Sequence, residues 1–227
     1  MEELEQGEVQ LSDGCLDTQV KNGAIDETLS GALLADTPKG IYKAFQNIMY
    51  NQKLIDEYSC TLVWPFTALS NYTGNQIPLT VQQEGLQRYV KSGLFTPWVG
   101  GKMTDGATIA LDVYNSYFGT KIQINVVPLN ADTIRTALES GSPINTGIYY
   151  WPSYFSNEQD DGVIENTAGT TGKNGHCITI VKLNTMDDIL IKFAENYNGI
   201  LKYQIIMTNF VEMRSLFFNT GIYYSWK

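Results

Sequence analysis

The sequence predicts an α+β fold in which a helical half packs against an antiparallel β-sheet half. Helical spacing of apolar residues dominates the first part of the 227-residue chain, whereas segments rich in β-branched and aromatic residues dominate beyond residue 144. Helices followed by strands are typical of α+β domains. A hydrophobic content of 43% is ordinary for a folded core.

Residues 1–37 are predicted to form an acidic, extended N-terminal arm. Nine of the 24 acidic residues lie there, and few large apolar side chains occur before Leu33. Such a composition does not bury enough apolar surface to fold by itself. The arm is either poorly ordered or docked across the domain or onto a protein partner, and residues 38–227 are expected to form the folded domain.

Four helices are predicted in addition to a central one described below. Residues 38–50 have helical spacing at Ile41, Phe45, Ile48 and Met49, and Pro38 suits a first helical turn. The other three helices are predicted over 81–89, 105–118 and 131–140. In the last of these, Ile134, Ala137 and Leu138 are expected to face inward.

The strands are predicted over 122–127, 144–151, 174–181, 189–194, 201–207 and 221–226. Residues 95–101 read as a turn with an exposed Trp98, and residues 153–172 as a long loop with an acidic cluster. Four aromatic residues are expected either to line a cleft or to pack in the core: Trp98, Tyr149, Tyr150 and Trp151.

A polar loop from Gln52 leads into a central apolar helix that begins at Cys60 and that Gly74 terminates. Ser59 is a candidate N-cap residue. At a helix N-terminus, unpaired backbone N–H groups and the helix dipole stabilise a thiolate, which is the form that a nucleophilic cysteine needs. The alternative is that Cys60 is a small buried hydrophobic residue, as most free cysteines are.

The only histidine of the chain, His176, lies where a Gly-, Thr- and Asn-rich loop enters a strand. It is the leading candidate for a side chain that titrates near neutral pH. The alternative is an ordinary, partly exposed residue at a strand end. We expect His176 to face the cleft; because side chains alternate along a strand, Cys177 is then expected to point away from the cleft and to be buried.

Four segments together resemble papain-like cysteine peptidases, in the order in which the family has them. Ser59-Cys60-Thr61 resembles the nucleophile motif of bacterial and phage members, and residues 137–148 resemble the helix-to-strand unit. Residues 174–181 resemble the strand bearing the catalytic histidine, and residues 191–199 resemble the strand that ends in Asn-Ser-Trp-Gly. The separations, 176 − 60 = 116 and 196 − 176 = 20, agree with the family.

This resemblance implies a hydrolase that cleaves a peptide or isopeptide bond, in a peptide or a peptidoglycan-like substrate. Cys60 would be the nucleophile and His176 the base. Asn196 would orient the imidazole, and Gln52 would help to stabilise the oxyanion. The resemblance implies no cofactor and no metal.

Two features depart from the family pattern. In a second alignment register, Val63 occupies the nucleophile position, and Pro65 favours this register because it then lies in the first helical turn. Gln52 is also two residues further from Cys60 than the pattern expects, and in the second register Glu57 takes its place. The second register describes an inactive papain-like module that serves as a binding or structural protein, such as a component of a phage particle. A separate alternative is a tail or capsid accessory protein whose acidic N-terminal arm threads into neighbouring subunits.

Charge and cysteine content exclude several other classes. A net charge of −9 disfavours nucleic acid and anionic membrane surfaces. Three widely spaced cysteines disfavour a disulfide framework, and a single histidine disfavours a zinc site. We find neither a signal peptide nor a membrane span, so a cytoplasmic or virion-associated location is expected.

Overall fold

The predicted α+β fold is present in the computed structural model, which describes residues 41–46, 48–150, 174–185, 190–195, 204–209 and 217–227. The α-helices within these ranges are α1 (Cys60–Thr73), α2 (Leu79–Lys91), α3 (Met103–Phe118) and α4 (Ala131–Glu139). The strands there are β1 (Ile41–Lys43), β2 (Phe95–Thr96), β3 (Gly100–Gly101), β4 (Ile122–Pro128), β5 (Ile144–Tyr150), β6 (Asn174–Asn184), β7 (Leu190–Glu195), β8 (Gln204–Asn209) and β9 (Phe217–Trp226).

Seven of these strands form one antiparallel sheet in the order β4-β9-β5-β6-β7-β8, with β1 pairing to the last residues of β6. The sheet brings the C-terminal strand β9 between β4 and β5, although β9 is far from both in sequence. Strands β2 and β3 form a separate small hairpin. Strand β6 lies at the centre of the sheet, beside β5 and β7.

Helices cover both faces of this sheet. On one face, α4 contributes Ile134, Ala137 and Leu138 to a buried cluster with residues of β5 and β6, which confirms the inward face predicted for this helix. On the other face, α1, α2 and α3 form a larger apolar cluster that also includes Ile222 and Tyr224 of β9. Helix α1 is buried from Thr61 to Asn71 because it lies between the sheet and the other two helices.

The helix predicted over residues 38–50 is wrong. Residues 41–43 form strand β1, and the described residues from 44 to 50 are not helical. Phe45, Ile48 and Met49 are buried, but tertiary contacts rather than a helix supply hydrogen-bond partners for the backbone here. The Asn71 side chain accepts hydrogen bonds from the backbone N–H groups of Gln46 and Ile48 and donates to the Ile48 carbonyl.

The bounds of α1 agree with the prediction. The helix begins at Cys60 and ends at Gly74, whose φ of 79° is the left-handed conformation that glycine adopts easily. Pro65 lies inside the helix rather than in its first turn, so the register in which the helix begins at Trp64 is not the one adopted. Ser59 precedes the helix but makes no side-chain cap; its ψ of 18° departs from the extended backbone typical of an N-cap residue, and its hydroxyl donates to the Asp56 carbonyl at 2.7 Å.

The remaining predicted helices and strands occur within a few residues of their expected bounds, where the structure describes them. Residue 98 is an exposed tryptophan at the tip of the β2–β3 hairpin, as predicted. The acidic arm (1–37), Trp151, the loop over 153–172 and Asn196 lie outside the described residues. Within the described residues, none of the helices has the length and hydrophobicity required to cross a membrane.

Candidate functional site

A cavity of about 700 Å³ opens where the start of α1, the β2–β3 hairpin and the sheet meet. Cys60, Gln52, His176 and Cys177 all contribute to its wall. Three of the four residues predicted to form a catalytic site are therefore gathered around one cavity, although they are up to 124 positions apart in sequence (176 − 52). Whether they act in catalysis stays a prediction.

Cys60 is the first residue of α1 and is only partly buried. Its position at the helix N-terminus leaves nearby backbone N–H groups without partners inside the helix. Val63, which occupies the nucleophile position in the second register, is instead fully buried in the apolar cluster between α1, α2 and α3. The residue that α1 presents to the cavity is therefore the cysteine and not the valine.

The Thr179 side chain shows which face of strand β6 is turned toward α1. Its hydroxyl donates to the carbonyl of Trp64 at 3.2 Å, so Thr179 faces α1. The pairing of β5 with β6 is continuous from residue 174 to residue 180, and alternation therefore places Cys177 on the α1 face and His176 on the opposite face. This agrees with the packing, because Ile178 and Ile180 lie in the cluster with α4.

His176 is 4% exposed and lies two residues after the start of β6. Residue 176 contributes to the cavity wall at this end of the strand. Cys177 is buried as predicted, with an exposure of 2%, but the predicted orientation of the strand is wrong, because Cys177 and not His176 lies on the α1 face. The prediction did not include the contribution of Cys177 to the cavity wall, which follows from its being on the α1 face.

A buried hydrogen-bond network holds α1 against the sheet. The Asn145 amide donates to the Trp64 carbonyl at 3.0 Å and to the Thr179 hydroxyl at 2.8 Å, and its Oδ1 accepts from the Tyr224 hydroxyl at 3.1 Å. Burial raises the pKa of Tyr224 well above its ordinary value, and the charge that Cys177 would carry as a thiolate acts in the same direction. Tyr224 therefore stays protonated and donates at neutral pH.

Gln52 lies in a short 3-10 helix before α1 and is 1% exposed. Its Nε2 donates to the Glu57 carbonyl at 2.5 Å, whereas its Oε1 is buried and has no hydrogen-bond partner among the described residues. An amide nitrogen carries two hydrogens, so Gln52 retains a second N–H after the bond to Glu57. The sequence placed Gln52 in the site without predicting that it is anchored in this way.

Several residues of the cavity wall carried no signal in the sequence. Phe218 lies over Gly147 and Gly175, where a Cβ atom on either glycine would come within 2.6 Å of an atom of the Phe218 ring. Phe218 and Thr220 enter the wall only because β9 pairs with β5, a pairing that no local pattern predicts. Glycines at 147 and 175 therefore make the room that the ring occupies.

The β2–β3 hairpin forms the opposite rim of the cavity. Trp98 and Val99 are each 77% exposed, and Trp98 has a φ of 67°, which is uncommon for a residue with a side chain. The Trp98 ring meets Tyr58 edge to face, with the ring centroids 5.9 Å apart. Of the four aromatic residues proposed for a cleft, Trp98 lines the cavity, whereas Tyr149 packs on Phe218.

No known protein-family model matches the chain, and no curated protein is significantly similar to it. Among the described residues there is also no group of three or more His, Cys, Asp or Glu side chains arranged to hold a metal ion.

Proposed function

We propose that this protein is a papain-like cysteine hydrolase that cleaves a peptide or isopeptide bond, with Cys60 as its nucleophile. The observation that carries the proposal is the meeting of Cys60, at the start of a buried helix, and the only histidine of the chain in the wall of one cavity. A cysteine nucleophile needs a site that stabilises the thiolate and a base within reach. The start of α1 offers the first, and His176 is the candidate for the second.

In the proposed reaction, the Cys60 thiolate attacks the carbonyl carbon of the substrate amide, and the oxygen becomes an oxyanion. The second N–H of Gln52 and the backbone N–H of Cys60 are the candidate donors to that oxyanion. His176 takes the thiol proton and gives it to the leaving amine, and water then hydrolyses the thioester. Asn196 is the proposed orienting residue for the imidazole.

The hairpin rim suggests how the substrate is held. Trp98 and Val99 expose large apolar surfaces beside the cavity, and Tyr58 supports the indole ring. Exposed apolar surface next to a cavity favours a substrate with an apolar or planar group near the cleaved bond. The substrate classes proposed from the sequence, a peptide or a peptidoglycan-like stem or bridge, both remain compatible with this surface.

A second candidate function is an inactive papain-like module that binds a partner, for example as a component of a phage particle. Strand alternation favours it, because His176 leaves β6 on the face opposite to α1. In an active enzyme the imidazole must therefore turn around the end of β6 to reach the sulfur of Cys60. The two candidates differ in whether His176 controls the reactivity of Cys60.

The test is covalent labelling of the full chain with a panel of peptidyl acyloxymethyl ketones that carry apolar, acidic or basic side chains. We expect selective modification of Cys60, abolished in Cys60→Ala and slowed by a factor of about 10² in His176→Ala, the lower end of what general base catalysis contributes. Cys177→Ala is the matched cysteine control and should still be labelled. Labelling that is equally slow in the parent and in His176→Ala would contradict the enzyme and favour the binding module.

A further inference from the structure

Helix α1 and strand β6 run in the same direction across their interface. Cys60, at the start of α1, shares the cavity with Phe218 near the start of β9, and the Tyr72 hydroxyl, near the end of α1, accepts from the backbone N–H of Trp226 at the end of β9. Helix α1 is therefore parallel to β9. Both β9 and β6 are antiparallel to β5, so β6 is parallel to α1 as well.

The Trp64–Thr179 hydrogen bond fixes the register of this helix against this strand. Cys60 lies four residues before Trp64, which places it about 6 Å along the helix and on the same face. Cys177 lies two residues before Thr179, which places it about 6.6 Å along the strand and on the same face. Nearly equal displacements in the same direction bring the two cysteines opposite each other.

The packing around both residues agrees with this placement. Cys177 belongs to a buried cluster with Trp64 and Val181, and Cys60 packs against that cluster. Both cysteines also line the same cavity. Cys60 is the more exposed of the two, whereas Cys177 is 2% exposed, so an oxidant that enters through the cavity meets Cys60 first.

We propose that Cys60 and Cys177 form a redox-sensitive dithiol pair that closes to a disulfide when a hydroperoxide oxidises Cys60. In the first step the Cys60 thiolate attacks the peroxide, the O–O bond breaks, and Cys60 becomes a sulfenic acid while the peroxide is reduced to water or an alcohol. In the second step the Cys177 thiolate attacks the sulfenic sulfur, the S–O bond of the sulfenic acid breaks, its oxygen leaves as water, and the Cys60–Cys177 bond forms. A thiol reductant reverses the reaction by exchange.

This inference does not rest on the proposed function, because it requires only the proximity and access of two thiols. If the proposed function also holds, the disulfide removes the nucleophile and switches the enzyme off. A disulfide bridges cysteines only when their Cα atoms lie about 4.4–6.8 Å apart. Formation of the bond therefore also tests how closely α1 approaches β6 at this point.

The test treats the full chain with a small excess of hydrogen peroxide, alkylates remaining thiols under denaturing conditions and maps tryptic peptides by mass spectrometry. The three cysteines fall on separate tryptic peptides, residues 1–21, 54–88 and 174–182, so each pairing is distinguishable. We expect a cross-linked 54–88/174–182 species that a thiol reductant removes. In Cys177→Ala, Cys60 should instead accumulate as a sulfenic acid that dimedone traps.

Three outcomes would overturn the pairing. They are oxidised Cys60 beside a reduced Cys177 thiol in the parent, a disulfide from Cys60 to Cys15 instead, or no difference in dimedone trapping between the parent and Cys177→Ala. Phenylarsine oxide, which binds two adjacent thiols together, supplies a readout that needs no substitution. It should bind the reduced parent at one equivalent and protect both Cys60 and Cys177 from alkylation.

Discussion

Replacing Trp64 with alanine is expected to lower the free energy of unfolding by about 3–5 kcal/mol. Trp64 is one of the largest fully buried side chains among the described residues, and it packs with Phe45, Met49 and Val181 between α1 and β6. Its indole N–H is buried with no hydrogen-bond partner among those residues, so the side chain contributes through packing rather than through a hydrogen bond. The substitution leaves a cavity that the surrounding sheet cannot close.

Chemical denaturation of the parent and variant measures this loss through the shift in the midpoint at constant slope. Trp98→Ala is the matched control, because it removes the same side chain from a position that is 77% exposed. We expect the control to change the unfolding free energy by less than about 1 kcal/mol. Equal losses in the two variants would mean that α1 is not buried against the sheet as described.

Replacing Gly106 with alanine is expected to cost about 3 kcal/mol, even though alanine is the better helix former by about 1 kcal/mol. Gly106 is a buried residue of α3 that touches the backbone of α1, and a Cβ there would lie 2.6 Å from the carbonyl carbon of Thr61. A backbone carbonyl in a buried helix cannot move aside without separating the two helices. Because Thr61 follows Cys60, the same shift would also displace the start of α1.

Gly93→Ala separates this steric effect from the general effect of adding a methyl group to glycine. Gly93 has a φ of 74°, and a Cβ atom added there would have no neighbouring atom within 4 Å, so alanine meets backbone strain but no clash. We expect a loss of about 1–2 kcal/mol. A Gly106→Ala variant at least as stable as Gly93→Ala would contradict the close approach of α3 to α1.

The parts of the fold that the sequence predicted well are those with local signals. Helix α1 begins after a polar loop and ends at a glycine in the left-handed conformation, and α4 has a regular inward face at Ile134, Ala137 and Leu138. Residues 41–50 have helical spacing too, but Ile41–Lys43 pair with β6, and the Asn71 side chain binds the backbone of Gln46 and Ile48. Tertiary hydrogen bonds therefore override the local pattern there.

Gln52, Cys60 and His176 were predicted as site residues and all three line the cavity, but the side of β6 that meets α1 was predicted wrongly. The sequence indicated that His176 and Cys177 point in opposite directions, and alternation alone does not say which of them faces α1. That choice depends on Thr179, whose hydroxyl meets a carbonyl 115 positions earlier in the chain. In the same way, Phe218 joins the cavity through the non-local pairing of β9 with β5.

The central claim, that His176 activates Cys60, is tested most directly by the rate at which iodoacetamide alkylates Cys60 at about pH 6, where a free thiol is almost entirely protonated. The comparison is between Cys177→Ala and the double variant Cys177→Ala/His176→Ala, with modification of Cys60 followed on the tryptic peptide 54–88. The account predicts fast alkylation that slows by a factor of about 10² when His176 is removed. Equal, slow rates in both proteins, each shown to be folded, would contradict it.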